Sequence, residues 1–114
     1  MGFFRRLWYS SGAVGWVHRG DTMRRFGRYQ EAMRCYDRAL DIDPSLADAW
    51  LQKGRLLVEM GSPDLGLNRL TRALEIDPRR AEAWVDKEKI LRSMGKEKEA
   101  EICHKRAKDL GYSL

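Results

Sequence analysis

Cys103 and His104 stand side by side, the one pair of neighbours here that could hold a metal ion or join a nucleophile to a base. The spacing suits neither task. Adjacent residues on a helix do not share a face, and no second pair at metal-ligand spacing accompanies them. Glu99 and Glu101 could be a carboxylate pair for proton transfer, but they lie in a run of alternating Lys and Glu that reads as a solvated face. No phosphate-cradling glycine loop and no nucleophile motif occurs. The sequence therefore predicts no enzyme, no metal and no cofactor. The remaining chemistry is recognition, and it depends on the elements that hold the polar side chains.

Two phrases set those elements. Ala39-Leu40-Asp41-Ile42-Asp43-Pro44 returns 34 residues later as Ala73-Leu74-Glu75-Ile76-Asp77-Pro78. Trp50 and Trp84 each follow their proline by six residues, and Trp16 extends the series one step back. A fixed period of this size marks stacked supersecondary units rather than one closed core. Counting from the prolines gives units at 13–46, 47–80 and 81–114, with residues 1–12 as an N-terminal arm or cap.

Each unit holds two helical stretches parted by a glycine: Gly27, Gly61 and Gly95. Ala32, Tyr36, Ala39 and Leu40 recur at the spacing of one helical face, as do Leu67, Leu70, Ala73 and Leu74. The Asp-Pro steps end these stretches, because the residue before proline disfavours the α region. Ser62-Pro63 predicts a restart with a serine cap and proline in the first turn. Gly66 inside its helix predicts close helix approach. The tryptophans are expected to fill the junctions between units.

Composition agrees. A charged fraction of 34% suits an elongated molecule with much surface, and 43% hydrophobic content supports a core. The net charge of +5 permits acidic partners or nucleic acid, but 17 acidic residues are interleaved with 22 basic ones, a mixed surface rather than a polybasic arm. Cys35 and Cys103 lie 68 residues apart, two periods, so free thiols in a reducing compartment are expected. No apolar run approaches the ~20 residues that span a bilayer, and the start is a poor secretory or myristoylation signal. A soluble cytoplasmic protein is expected.

These residues resemble the tetratricopeptide repeat, whose period is 34 and whose pattern includes W-x2-L-G-x2-Y, A-x3-F and P. Trp16, Gly20, Ala32, Tyr36, Ala39 and Pro44 match in the first unit. Trp50, Gly54, Leu57, Gly66, Leu70, Ala73 and Pro78 match in the second, and Trp84, Leu91, Ala100 and Ala107 in the third. Arg19, Lys53 and Lys87 replace leucine, while Glu88, His104 and Tyr112 replace the glycine, large apolar residue and proline of the third unit. The resemblance implies an all-α, right-handed α-solenoid of three antiparallel helix pairs. It implies a non-catalytic adaptor or scaffold that binds a partner peptide in a concave groove lined by the first helix of each unit.

Carried over, the groove positions are Val17, Asp21, Arg24, Leu51, Gln52, Arg55, Val85, Lys89 and Arg92. Asp48, Glu82 and Asp86 form an acidic stripe, and Arg24, Arg55, Lys89 and Arg92 a basic one that would meet an acidic partner. A chaperone-binding subtype uses a Lys/Asn/Asn/Lys/Arg clamp, and Val17, Asp21, Gln52, Glu82 and Asp86 stand in its places, so that activity is not expected. His18 is read as an ordinary groove contact. Phe3, Phe4, Leu7 and Trp8 could cap the first unit, dock to a partner or membrane surface beside Arg5 and Arg6, or be disordered. Ile102, Leu110, Tyr112 and Leu114 leave an apolar edge through which the chain could self-associate. The alternative function is binding of RNA or other nucleic acid through the basic surface.

Overall fold

Six helices follow one another in the computed structural model, which describes the backbone of residues 2–112 and the side chains of residues 12–112. They are α1 (Gly2–Arg25), α2 (Tyr29–Ile42), α3 (Ala47–Glu59), α4 (Pro63–Ile76), α5 (Ala81–Ser93) and α6 (Glu97–Asp109). Starts at 29, 63 and 97, and at 47 and 81, keep the 34-residue step of the sequence. No strand occurs among the described residues. The helices form three pairs, α1 with α2, α3 with α4 and α5 with α6, and the pairs stack in an α-solenoid 48 × 30 × 21 Å in extent.

Glycine makes the turn inside each pair. Gly27 has φ +76°, a conformation costly for any residue with a Cβ, and Gly61 and Gly95 repeat it. Between pairs the Asp-Pro step takes over. Asp43 Oδ1 accepts the Ser45 N–H at 3.0 Å, and Asp77 Oδ1 accepts that of Arg79 at 3.2 Å, a side-chain turn that bends the chain. Pro63 occupies the first turn of α4, but Ser62 makes no side-chain cap bond. Its carbonyl accepts the Gly66 N–H at 3.0 Å, the ordinary first bond of a helix, and the expected serine cap is not made.

Packing alternates small and large residues. Ala32, Ala39, Ala49, Ala73, Ala83, Ala100 and Ala107 are fully buried, and Tyr36, Leu51, Leu56, Leu70 and Leu91 fill the spaces between them. Gly66 has its expected reason. A Cβ there would come within 2.8 Å of the Gly54 carbonyl on α3 and closer still to the Val58 side chain. The tryptophans differ from expectation: Trp16, Trp50 and Trp84 are half-buried against the clusters rather than sealed inside them. An indole must place its N–H as well as its ring. Trp50 and Trp84 donate to the carbonyls of Pro44 and Pro78 at 2.8 Å, which locks each unit to the turn before it.

Residues 2–12 form no separate element, because α1 runs unbroken from Gly2 through the first unit. Gly12 already lies beside Ile42, the last residue of α2, so the earlier turns of α1 extend past their partner helix. The side chains of Phe3, Phe4, Leu7 and Trp8, and Leu114, lie outside the described residues.

Candidate functional site

Side chains of α1, α3 and α5 meet one another along one face of the stack. Arg24 of α1 donates to Gln52 Oε1 of α3 at 3.1 Å and lies 3.8 Å from Glu59. Arg55 of α3 donates to Asp86 of α5 at 2.5 Å, with Glu82 at 3.8 Å. Arg80, just ahead of α5, reaches Asp48 at 3.5 Å and Glu82 at 3.8 Å. Of the two stripes read from the sequence, Arg55 meets Glu82 and Asp86 of the next unit, while Arg24 and Asp48 find partners outside the stripes, in Glu59 and Arg80. Such pairs on a partly wet face contribute little each, roughly 0–1 kcal/mol, and mainly fix the register of the side chains.

Between α3 and α5 this face opens into a cavity of about 240 Å³. Val58, Leu70 and Ile90 give it an apolar floor, and Arg55, Glu59, Asp86 and Lys89 a charged rim. Lys89 is exposed and makes no ion pair among the described residues, unlike the arginines beside it. An apolar pocket with a few oriented charges can take an apolar side chain and fix its flanking polar groups.

The nine expected groove residues divide into three groups. Asp21, Arg24, Gln52, Arg55 and Lys89 reach the face, Asp21 accepting the Tyr36 hydroxyl at 2.5 Å. Val17, Leu51 and Val85 keep only 1%, 0% and 8% of their surface and belong to the packing beneath it. Arg92 turns away onto α6, where it meets Glu88 at 3.1 Å, Glu97 at 2.5 Å and Glu101 at 2.9 Å. The floor residues Leu70 and Ile90 read as plain core in the sequence. Their helical spacing shows that they are buried but not that a cavity opens beside them.

The departures in the third unit prove to be coupled. In the first two, Gly20 and Gly54 leave room for Tyr36 and Leu70, which a Cβ would meet within about 3.0 Å. In the third, Glu88 and His104 replace both members, and His104 Nδ1 lies 3.2 Å from each carboxylate oxygen of Glu88. With Arg92, Glu97 and Glu101 they form one network across α5 and α6. The acids of α6 thus serve Arg92 rather than only pairs along their own helix.

Cys35 and Cys103 are buried free thiols. Burial pushes both thiols up from their ordinary pKa, which makes poor nucleophiles of them. No group of three or more potential metal ligands occurs among the described residues, and no described helix is long and apolar enough to cross a membrane.

A sequence model of the tetratricopeptide repeat matches residues 22–88, more than half of the chain. The chain belongs to the tetratricopeptide repeat family. Solved structures agree in fold. The crystal structure of MamA superposes with a TM-score of 0.83 at 21% identity over 89% of this chain, which spans only 59% of the MamA chain. The second TPR domain of Spaghetti (RPAP3), bound to the HSP90 peptide SRMEEVD, gives 0.82 at 20% identity over 89% of this chain and 94% of its own. The first TPR domain of the same protein, bound to the same peptide, gives 0.84 at 19% identity over 90% and 81%. No curated protein matches the chain. Tetratricopeptide repeats are generally a non-catalytic, protein-interaction fold.

Proposed function

We propose that this tetratricopeptide repeat chain is an adaptor that holds a peptide segment of a partner protein along the face of α1, α3 and α5. The observation that carries the reading is the cavity between α3 and α5, with its apolar floor and charged rim. An apolar side chain of the partner enters over Val58 and Ile90, and a partner carboxylate meets Lys89. The other cations of the face are already engaged, so an acidic peptide gains its specificity at Lys89 and must compete for Arg55.

Two similar domains carry an HSP90 peptide. The clamp positions argue for a different partner here. Glu82 and Asp86 would repel a terminal carboxylate, and Asp21 is engaged by Tyr36. Buried thiols fit a reducing, cytoplasmic setting. Exposed Ile102, Leu110 and Tyr112 on and just after α6 suit weak self-association, which sedimentation velocity at increasing concentration tests.

The groove reading is tested with a peptide array that pairs apolar and acidic residues, probed with the purified chain. Peptides that bind should lose about tenfold in affinity on Lys89→Glu combined with Arg55→Glu. Unchanged affinity in that variant would overturn the groove assignment. Retention of RNA instead, with affinity falling steeply as salt rises, would favour the nucleic-acid alternative.

A further inference from the structure

Charge is unevenly shared along this chain. Eight of the 22 Lys/Arg and three of the 17 Asp/Glu fall in residues 1–40, so that segment carries the whole net charge of +5 and residues 41–114 are neutral. All eight cations are arginine, and no acid precedes Asp21. Three of them, Arg19, Arg34 and Arg38, surround a cleft of about 340 Å³ between α1 and α2, floored by Trp16, Met23 and Cys35. Arg19 and Arg38 lie 5.3 and 5.8 Å from the Trp16 ring centroid, which holds their guanidinium groups in place. None of the three joins an ion pair among the described residues, whereas Arg55, Arg80 and Arg92 each meet two or three carboxylates. The lone acid at the rim, Glu31, lies 3.8 Å from Arg28.

The repeat explains what the cleft is. On the third unit the same face is covered: Leu67 of the preceding helix α4 packs against Leu91, Ala100 and Cys103. Those residues correspond, two periods earlier, to Met23, Ala32 and Cys35. On the second unit the preceding helix α2 sets Asp37 against Lys53 at 2.6 Å, and Lys53 corresponds to Arg19. Both junctions are thus formed by the second helix of the unit before, α2 or α4. No described helix lies there on the first unit, and α1 runs straight through the place where a proline turn precedes Trp50 and Trp84.

We infer that this end face is a second binding site, separate from the groove, and that it receives an acidic amphipathic helix of a partner protein. The internal junctions supply the template: an apolar residue, as Met33 or Leu67, and a carboxylate four residues on, as Asp37 after Met33. Arg34 and Arg38 add two further positions for acids on the incoming helix. A second copy of the chain does not fit. Its end helix α6 carries Glu101 at the Leu67 position and Lys105 at the Asp37 position, which would set lysine against Arg19. A nucleic acid strand is disfavoured because the arginines themselves cover Trp16, leaving that ring less open to base stacking.

The probe is a lactam-stapled peptide of residues 29–42 with Arg34→Glu, Arg38→Glu and Cys35→Ala, which keeps Met33 and Asp37. Its titration into the labelled chain should move the Trp16 indole N–H resonance and leave the groove resonances in place. Arg19→Glu combined with Arg38→Glu should weaken binding about tenfold, while Lys89→Glu in the groove leaves it unchanged. Arg34→Glu, which sits over no ring, gives the same direction of effect without disturbing Trp16, so a folding defect cannot mimic the result. Equal binding of the peptide with its acids changed to amides would overturn the proposal. So would a dimer of the chain that dissociates on Arg19→Glu, or tighter binding of an oligouridine at the same residues.

Discussion

Gly20 and Tyr36 show how much one atom decides in this stack. A Cβ on residue 20 would lie 2.6 Å from the Tyr36 ring, and the ring is fully buried and has no free space to enter. Gly20→Ala should therefore destabilise the chain by about 1–3 kcal/mol despite alanine's better helix propensity, and urea denaturation reads this directly. The same tyrosine gives an alkaline signature. Burial, then the hydrogen bond to Asp21, raises its pKa above the ordinary 10.0. The folded chain keeps the phenol proton after the unfolded chain has lost it. This contribution is complete below pH 10 and is lost as pH rises through the higher folded value. Urea midpoints measured from pH 8 upward should fall more steeply above pH 10 for the native chain than for Tyr36→Phe. Parallel curves would remove the tyrosine from the account.

At the level of helices, α5 and α6 are joined differently from the two pairs before them. A polar network centred on Glu88, His104 and Arg92 replaces a glycine facing a large side chain. The Glu88 side chain is only 12% exposed, so losing His104 leaves a largely buried carboxylate with Arg92 as its one remaining partner among the described residues. His104→Leu alone should cost about 1–3 kcal/mol. Glu88→Gly combined with His104→Leu restores the pairing of the second unit, and should cost less than the two single changes summed. A double-mutant cycle on thermal unfolding measures the coupling, and additive losses would mean that the two replacements are independent.

Across the whole molecule, shape follows from stacking. The radius of gyration is 14.9 Å, against about 13 Å expected for a globular chain of this length. Each helix pair presents a face on which a further pair could stack. At the α6 end, Glu101 and Lys108 stand where Leu67 and Leu74 are covered by the next unit. Glu101→Leu combined with Lys108→Leu should make the chain associate as concentration rises, because the end then resembles an internal junction. Sedimentation velocity checks this, and a variant that associates no more than the native chain would mean that polarity at α6 does not limit association.

The period, the six helices and the glycine turns were all legible in the sequence, because they depend on local rules that repeat every 34 residues. The groove was legible only as a list of positions. Val17, Leu51 and Val85 stand at groove positions yet are sealed below the face, since burial depends on the neighbouring unit and not on the residue's own helix. Likewise Arg92 reads as a groove cation but folds onto α6, where three carboxylates outcompete the open face. Which charges pair and where a cavity remains are settled by contacts between helices. Those contacts depend on how neighbouring helices pack, and only the folded stack fixes that.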